Sequence, residues 1–351
     1  MLLKYFKNKK IIVTGHTGFK GSWLSFWLYL NGAKVIGISN SLDKESNFKA
    51  LRLERKLINK KIDVRNLSKF KKVIQKSKPD FIFHLAAQSL VKRSYDQPIE
   101  TFNTNSIGTL NLLESLKNLT KKCTVVIITS DKSYKNLELK RGYKEDDLLG
   151  GVDPYSASKA SAELIFKSYF KSFLEKKKNI KIAVARAGNV IGGGDWSKDR
   201  LVPDCFKSWA ANKFAVIRNP NSTRPWQHVL EVLSGYLILA IKLEKNPKLN
   251  GEAFNFGPKN FQNKSVFNLI NEIRKNLPNF KWKIKKSKNF YESKLLKLNS
   301  KKAKQKLNWT NKLTFSQTIE MTTMWYKNYK KKNTDIVKFS SSQISGYEKK
   351  L

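Results

Sequence analysis

A glycine-rich loop between a strand-like run and a helix-length segment is the feature that most constrains this fold. Residues 10–14 read KIIVT, residues 15–23 read GHTGFKGSW, and a mainly apolar segment extends to residue 31. Gly32 ends that segment, and residues 33–38, AKVIGI, predict a second strand. In a βαβ unit of this kind, the backbone N–H groups of the loop and the positive end of the helix dipole face an anion. The glycines therefore predict a dinucleotide pyrophosphate site on a Rossmann-type sheet.

Helix and strand signals continue to alternate through the first half of the chain. Each predicted helix is followed by an apolar run of strand length, and the pairs are 69–78 with 80–85, 107–119 with 124–129, and 155–173 with 181–187. Such alternation predicts an α/β fold with a doubly wound parallel sheet covered by helices on both faces.

The change in composition along the chain predicts three segments. Residues 1–187 are expected to form the Rossmann domain. Glycines and prolines become frequent after residue 187, which predicts a smaller C-terminal α/β substrate lobe over 188–335, from which the chain can return to the Rossmann domain. Residues 336–351 are polar and serine-rich, and we expect a partly ordered tail there.

The excess of basic residues bears on the partners that the chain can have. Lysine and arginine number 69 against 27 aspartates and glutamates, which gives a formal net charge of +42. The lysines are spread over nearly every segment, and the sequence has neither a basic run interleaved with stacking aromatics nor a zinc-finger motif. We interpret the charge as a lysine-rich surface without a specific nucleic-acid partner, although a salt-dependent attraction to polyanions is expected.

The apolar runs and the cysteines indicate a cytoplasmic protein with no metal site. Residues 23–30 form the longest apolar stretch near the N-terminus, and they are far too few to span a membrane, so we expect no membrane insertion. Cys123 and Cys205 have no partner at CxxC or HxxxH spacing. They are predicted to be reduced structural thiols.

The cofactor's adenosine end is less clearly marked. Asp63 follows a short apolar stretch and is a candidate for the adenine side of the site. The second strand should end in an acid that binds the ribose hydroxyls, but the chain offers Ser39, Asn40 and Ser41 before Asp43. The choice between NAD and NADP therefore stays open at this position, and the lack of an arginine there argues mildly against a ribose phosphate.

Tyr155 and Lys159 are the candidate catalytic pair. Their spacing of four residues places both on one face of a helix that begins at Pro154. A neighbouring ammonium stabilises a phenolate, so we expect it to lower the pKa of Tyr155 and make the phenol a usable base. Thr129, Ser130, Asp131 and Lys132 form a second polar cluster at the end of a predicted strand, where a doubly wound sheet places its cofactor crevice.

These motifs together resemble the extended short-chain dehydrogenase/reductase family, and within it the nucleotide-sugar dehydratases of the CDP-glucose branch. The resemblance extends from about residue 9 to the C-terminal SQISGY. The segments that carry it, besides HLAA (84–87), are GHTGFKGSWL (15–24), TSDKSY (129–134), DPYSASK (153–159), RAGNVIGGGDW (186–196), DRLVPD (199–204) and RPWQHV (224–229).

The resemblance implies an NAD-dependent reaction on CDP-glucose in three steps, serving deoxysugar and lipopolysaccharide synthesis. Tyr155 would take the 4-hydroxyl proton as the C4 hydride leaves, water would be eliminated across C5 and C6, and the hydride would return to C6. The resemblance assigns Ser130 to the 4-oxygen and Asp131 to protonation of the departing 6-hydroxyl. Lys132 stands where most sibling dehydratases carry a glutamate base. Whether Lys132 is the C5 base or an electrostatic helper stays open.

Further site residues are carried over by the same resemblance. Arginines suit phosphate groups, and the candidates at the second lobe or its mouth are Arg186, Asn189, Arg200, Arg218 and Arg224. We prefer Arg218 and Arg224 for the diphosphate, followed by Asn189 and Arg200, with an interlobe salt bridge as the even alternative for each arginine. The predicted cofactor residues are Gly15, Thr17, Gly18, Phe19, Lys20, Gly21, Ser39, Asp63, Val64, Leu85, Ala86, Ala87, Asn105, Thr129, Tyr155 and Lys159. The predicted substrate residues are Gln88, Asn189, Arg200, Leu201, Arg218, Arg224 and His228.

The resemblance also implies a homodimer. Its four-helix interface would be formed by the helices around 105–119 and 156–173 of each copy. Two alternatives stay open: a different nucleotide-sugar dehydratase or 4-epimerase on the same scaffold, and, from another class, a basic non-catalytic protein that binds nucleic acid.

Overall fold

A seven-stranded parallel sheet forms the centre of the molecule. The computed structural model describes residues 3–258, 263–285, 296–331 and 333–351. The strands lie in the order β3-β2-β1-β4-β5-β6-β11, with the bounds β1 Lys10–Thr14, β2 Lys34–Ser39, β3 Ile58–Lys61, β4 Phe81–His84, β5 Cys123–Ile128, β6 Ile180–Ala187 and β11 Ala253–Phe256. This arrangement confirms the predicted doubly wound α/β sheet.

Helices cover both faces of this sheet. Their bounds are α1 Phe19–Leu30, α2 Asn47–Ala50, α3 Leu67–Ser77, α4 Val91–Asp96, α5 Pro98–Phe102, α6 Gly108–Lys117, α7 Pro154–Tyr169, α8 Leu201–Ala210, α9 Val229–Lys245, α10 Val266–Asn276, α11 Lys301–Leu307, α12 Phe315–Lys330 and α13 Ile336–Glu348. One π-helical turn, Asn103–Ile107, precedes α6, and another, Phe170–Leu174, follows α7. Side-chain caps begin several of these helices, including Asp153 at α7, where Pro154 occupies the first turn.

Alternate residues of each central strand enter two separate cores. Val126 and Ile128 of β5 pack with α1 and α9, whereas Val125 and Ile127 pack with α6 and α7 on the opposite face. Both cores are apolar because a parallel sheet buried on both sides needs hydrophobic residues in every register position. The register places the carboxyl ends of β1, β4 and β5 at one edge, where the glycine loop and the polar cluster also lie.

The region after β6 contributes short strands outside the central sheet and one strand within it. Its remaining strands are β7 Val190–Ile191, β8 Ala215–Ile217, β9 Thr223–Pro225, β10 Gln227–His228, β12 Asn263–Ser265 and β13 Trp282–Ile284. They pair as β7 with β10, β8 with β13, and β9 with β12. β11 instead extends the central sheet by pairing with β6 in parallel, so a single boundary at residue 187 does not separate two continuous units.

The prediction of a partly ordered C-terminal tail is wrong, because residues 336–348 form the helix α13. Asp335 accepts hydrogen bonds from the backbone N–H groups at its start. Ser340, Ile344 and Tyr347 are buried, Ser340 accepts from Trp325 Nε1 at 2.9 Å, and Tyr347 donates to Glu231 at 2.9 Å. The polar composition concealed the spacing of these three residues, which places them on one helix face.

Within the described ranges, no helix is long and apolar enough to cross a membrane. Cys123 and Cys205 are buried free thiols, as predicted.

Candidate active site

The glycine loop is shaped by contacts that leave no room for side chains. Gly15 has a φ of +69°, and a methyl carbon added there would lie 2.9 Å from the backbone of Ala86. A methyl carbon at Gly21 would lie 2.1 Å from the carbonyl oxygen of Gly15. Gly18 stands at the start of α1 without a side-chain cap, so the first N–H groups of the helix are open to an anion. Phe19 follows, with its ring against Gly192.

Polar side chains meet where β2 and β3 end, at the predicted adenosine end of the site. The Thr17 hydroxyl lies 2.7 Å from that of Ser39. Asn40 donates to Asp63 Oδ2 at 3.0 Å, and Arg65 binds the same carboxylate. Hydrogen bonds from Arg65 lower the pKa of Asp63 to about 2. Sequence reasoning missed Arg65, whose charge is neutralised by Asp63; Val64 between them is a core residue.

The loop after β4 is held by side chains of β1 and of the π-helical turn before α6. Ala86 N–H donates to Thr14 Oγ1 at 3.1 Å, and Leu85 and Ala87 flank it in the chain. Asn105 accepts from the Gln88 N–H at 2.9 Å and donates to Ser158 Oγ at 2.8 Å.

The side chain of Gln88, a predicted substrate residue, is engaged in hydrogen bonds within the protein. Its side chain donates to Leu90 O and Thr101 Oγ1 and accepts from the Leu90 N–H, and it is buried. The structure therefore gives Gln88 a role in loop closure.

Ser130, Asp131 and Lys132 lie in a tight turn directly after β5. Ser130 Oγ accepts from the Lys132 N–H at 3.2 Å and donates to Asp131 Oδ1 at 3.0 Å. Asp131 Oδ2 is buried and has no hydrogen-bond partner within the described part of the chain, and it borders Gly188, where a methyl carbon would approach it to 2.8 Å. Burial raises the pKa of Asp131, which favours a carboxyl group that can give up a proton.

Tyr155 and Lys159 lie buried on α7 beside this turn. Burial raises the pKa of Tyr155, and a hydrogen bond with Ser130 opposes that rise. Burial, together with the charge of Lys20, lowers the pKa of Lys159 to about 7. The pKa of Tyr155 is thus raised by desolvation, and the groups that oppose the rise are Ser130 and Arg200. The expected effect of Lys159 on Tyr155 stays a prediction.

Lys20, predicted as a cofactor residue, also faces the polar cluster. Burial and then the charge of Arg200 lower the pKa of Lys20 to about 8, and Asp131 and Asp195 oppose this shift. Lys20 is thus near the turn as well as on the glycine loop.

The arginines named from the sequence occupy different settings. Arg200 donates to Asp195 Oδ2 at 3.1 Å and to Ser89 Oγ at 3.0 Å, and its charge acts on Tyr155. Arg218 is exposed, 3.9 Å from Asp199, and Arg224 donates to Thr223 O at 2.9 Å. Asp195, which sequence reasoning did not single out, holds Arg200 at the site.

Two other predicted substrate residues are largely enclosed by the protein. His228 is fully buried, its Nδ1 accepts from the Leu230 N–H at 3.3 Å at the start of α9, and burial lowers its pKa to about 3. Its Nε2 has no hydrogen-bond partner among the described residues, and its part in substrate binding stays a prediction. Leu201 begins α8 and packs against the core. Asn189 lies between β6 and β7, and its carbonyl accepts from the Gln227 N–H at 3.2 Å.

The structure brings together the glycine loop, the turn at 130–132 and the Tyr155–Lys159 face of α7. No cluster of three or more potential metal ligands is found in the ranges that the structure describes. The site is therefore built from hydroxyl, carboxyl and amine groups beside a cradle for a dinucleotide.

Comparison with known proteins gives concordant matches. The family described as GDP-mannose 4,6 dehydratase matches residues 12–322. A CDP-glucose 4,6-dehydratase of Salmonella typhimurium is 40% identical over 349 residues, which cover 98% of this chain and 97% of that protein.

Solved structures match over nearly the whole fold. UDP-glucuronic acid 4-epimerase from Bacillus cereus, in complex with UDP-glucuronic acid and NAD, has a TM-score of 0.77 and 25% identity, covering 91% of this chain and 99% of that chain. dTDP-glucose 4,6-dehydratase from Bacillus anthracis, in complex with NAD, has a TM-score of 0.76 and 24% identity, covering 91% and 96%.

Proposed function

The chain belongs to the GDP-mannose 4,6-dehydratase family of nucleotide-sugar dehydratases, and on that premise we propose that it converts CDP-glucose to CDP-4-dehydro-6-deoxyglucose and water with bound NAD. The observation that carries this proposal is the packing of the buried Ser130–Asp131 turn against α7, where Ser130 interacts with the Tyr155 phenol. The identity to the Salmonella protein over 98% of the chain supports the choice of CDP-glucose.

The glycine loop fits a dinucleotide. Gly15 and Gly21 leave no space for a Cβ, and the uncapped start of α1 offers N–H donors to a pyrophosphate. Thr17, Ser39 and Asp63 are proposed to bind the adenosine end, and the contact of Thr17 with Ser39 at 2.7 Å supports their grouping. NAD, when bound, supplies an acceptor for the C4 hydride and a donor of the same hydride to C6.

Tyr155 is proposed to remove the proton of the 4-hydroxyl. Its pKa is raised in the protein by burial, so proton removal depends on the groups around it. Ser130 hydrogen-bonds the phenol, and the Arg200 charge also favours the phenolate. Lys159, one helical turn later, adds a positive charge whenever it is protonated.

Asp131 is proposed to act as general acid in the elimination. A protonated carboxyl can give its proton to the departing 6-hydroxyl, and the raised pKa of Asp131 keeps it protonated to higher pH. Its buried Oδ2, which has no hydrogen-bond partner among the described residues, is available to a substrate oxygen. Removal of the C5 proton is assigned to Lys132, the adjacent amine of the same turn.

Substrate turnover tests this proposal. The protein is incubated with NAD and separately with CDP-, dTDP-, GDP- and UDP-glucose, and the alkali-induced absorbance of a 4-keto product is recorded. We expect signal with CDP-glucose, and its loss by at least about 100-fold in Tyr155→Phe. A 4-keto product formed only from another nucleotide sugar would show that CDP-glucose is not the substrate. An epimerised sugar without a 4-keto product would refute the dehydratase activity.

We also propose a homodimer whose interface is formed by the helices around 105–119 and 156–173 of each copy, extended by α5. Ile107, Leu164 and Phe173 are exposed apolar side chains on the first two segments, and Ile99 and Phe102 are exposed on α5. The segments pack against one another within one copy, so the exposed residues belong to a common region. Clustered apolar exposure of this kind is typical of protein–protein contact.

A further inference from the structure

A buried carboxylate on α7 continues the face that carries the catalytic pair. Glu163 follows Lys159 by four residues and Tyr155 by eight, so all three lie along one side of the helix. Glu163 is 1% exposed. A buried carboxylate needs several hydrogen-bond donors to offset its desolvation. The donors to Glu163 show which parts of the protein this carboxylate links together.

Two of the donors lie on either side of the polar turn. Thr129 Oγ1 donates to Glu163 Oε1 at 2.7 Å, and Ser133 Oγ lies 2.9 Å from the same oxygen. Thr129 directly precedes Ser130, and Ser133 directly follows Lys132. The same carboxylate oxygen thus ties both ends of the three-residue turn to α7.

Arg186 supplies the remaining donors from β6. Its Nε lies 2.9 Å from both Glu163 oxygens, and its Nη2 also binds Glu163. Arg186 Nη1 donates to Tyr134 Oη at 2.6 Å, and that hydroxyl donates to Asn255 at 2.8 Å. The carboxylate is therefore anchored to the central sheet as well, and Arg186, considered from the sequence for phosphate, is committed to this buried ion pair.

We infer that Glu163 is a positioning residue that sets the distance between the turn at 130–132 and the Tyr155–Lys159 face. This inference rests on the proposed function, because it concerns the coordination of the oxidation and elimination steps. The turn packs against α7, and its Ser133 carbonyl accepts from the Gly150 N–H at 2.9 Å. Glu163 adds side-chain hydrogen bonds at both ends of the turn. Glu163 also opposes the fall in the pKa of Lys159, so its charge acts on the same pair that its oxygens locate.

The first test removes the hydrogen bonds between Glu163 and the two ends of the turn, and it keeps the Glu163–Arg186 ion pair. The double variant Thr129→Val/Ser133→Ala removes both hydroxyl donors while Glu163 and Arg186 stay paired, so folding is expected. A displacement of about 1 Å between reacting groups can lower turnover by about 100-fold. We expect kcat on CDP-glucose to fall by between about tenfold and about 100-fold, with KM changed by less than about threefold.

The second test removes the charge. In Glu163→Gln the pKa of Lys159 should fall further, because the anion that favours its ammonium is lost, so the alkaline limb of the pH profile of kcat should move to lower pH. The double variant described above keeps the charge and should leave this limb in place. Glu231→Gln is the matched control: Glu231 is also 1% exposed, but its hydrogen-bond partners are Tyr347 and the backbone N–H groups of Lys312 and Leu313, none of which belongs to the turn. It should lower the melting temperature without changing kcat or the pH profile.

The outcomes separate the two proposals. Wild-type protein that does not convert CDP-glucose refutes the proposed function. Wild-type activity together with an unchanged kcat in folded Thr129→Val/Ser133→Ala refutes the positioning role, as does an equal loss in Glu231→Gln. If Glu163→Gln fails to fold, the hydroxyl double variant alone still decides.

Discussion

Substitution of Gly21 by alanine should damage dinucleotide binding more than any other single methyl group added to the loop. The new carbon would lie 2.1 Å from Gly15 O and 2.8 Å from His16 Cα, whereas Cβ atoms essentially never approach within 3.0 Å. Both obstacles are backbone atoms, so the loop must open by about 1 Å. Overpacking of this kind costs about 1–3 kcal/mol of stability.

The effect on NAD follows from the same displacement. An opened loop loses at least one N–H contact to the pyrophosphate, and a hydrogen bond to a charged group contributes about 1.5–3 kcal/mol. The dissociation constant for NAD, measured by titration calorimetry, should therefore rise by between about tenfold and about 100-fold. Gly18→Ala, whose added carbon meets Gly15 O at 3.3 Å, should have a smaller effect.

Gly346→Ala is the control, because nothing lies within 4 Å of its added carbon. That change on α13 should leave NAD affinity unaltered and raise helix stability by about 0.5–1 kcal/mol. An unchanged NAD affinity in Gly21→Ala would refute the assignment of this loop to the pyrophosphate.

Three further outcomes are expected. Asp131→Asn should slow elimination by at least about 100-fold. CDP-glucose recovered from deuterated water should still acquire deuterium at C5, because proton removal precedes the step that needs Asp131. Absence of that exchange would show that Asp131 is needed before or during removal of the C5 proton. The pKa of Lys159 is about 7 in the folded protein, below its ordinary value of 10.5. Between these two pH values the unfolded chain binds more protons at Lys159 than the folded protein does. Lys159 should therefore make the free energy of unfolding rise with pH across this window, by up to about 1.4 kcal/mol per pH unit. Denaturation curves of Lys159→Met without NAD should lack this contribution, and an identical pH dependence in both proteins would contradict it. Leu164→Glu should shift sedimentation from dimer toward monomer, whereas Phe214→Glu, another exposed apolar site, should not; dimers in both variants would exclude the α7 interface.

The sheet could be predicted from the sequence because its strands are strongly apolar. β1, β4 and β5 are continuous buried runs, and a buried parallel strand requires such a run. β3 was missed because all four of its residues are exposed, so it carries neither an apolar run nor an alternation. The helix α13 was missed because serine occupies one of its three buried positions, Ser340, and also nearby positions that are not buried, which conceals the helical spacing.

The site could be predicted in part, for reasons that differ by residue. The glycines and the Tyr155–Lys159 spacing are local signals, and local signals survive in a single sequence. The hydrogen bonds that engage Gln88 and Arg186 are tertiary contacts, which a single sequence does not show. Arg186, for example, pairs with Glu163, which lies 23 residues earlier in the chain. The same spacing of four that identified Lys159 also marks Glu163, and that is the signal by which it could have been found.

The fate of the hydrogen at C4 tests the central claim most directly, namely that Tyr155 and the turn at 130–132 act on one sugar beside one cofactor. CDP-glucose carrying deuterium at C4 is converted in ordinary water, and the product is examined by mass spectrometry and NMR. Our account predicts that the deuterium is found at C6 of CDP-4-dehydro-6-deoxyglucose. Deuterium lost to water, or retained at C4 of an epimerised sugar, would contradict it.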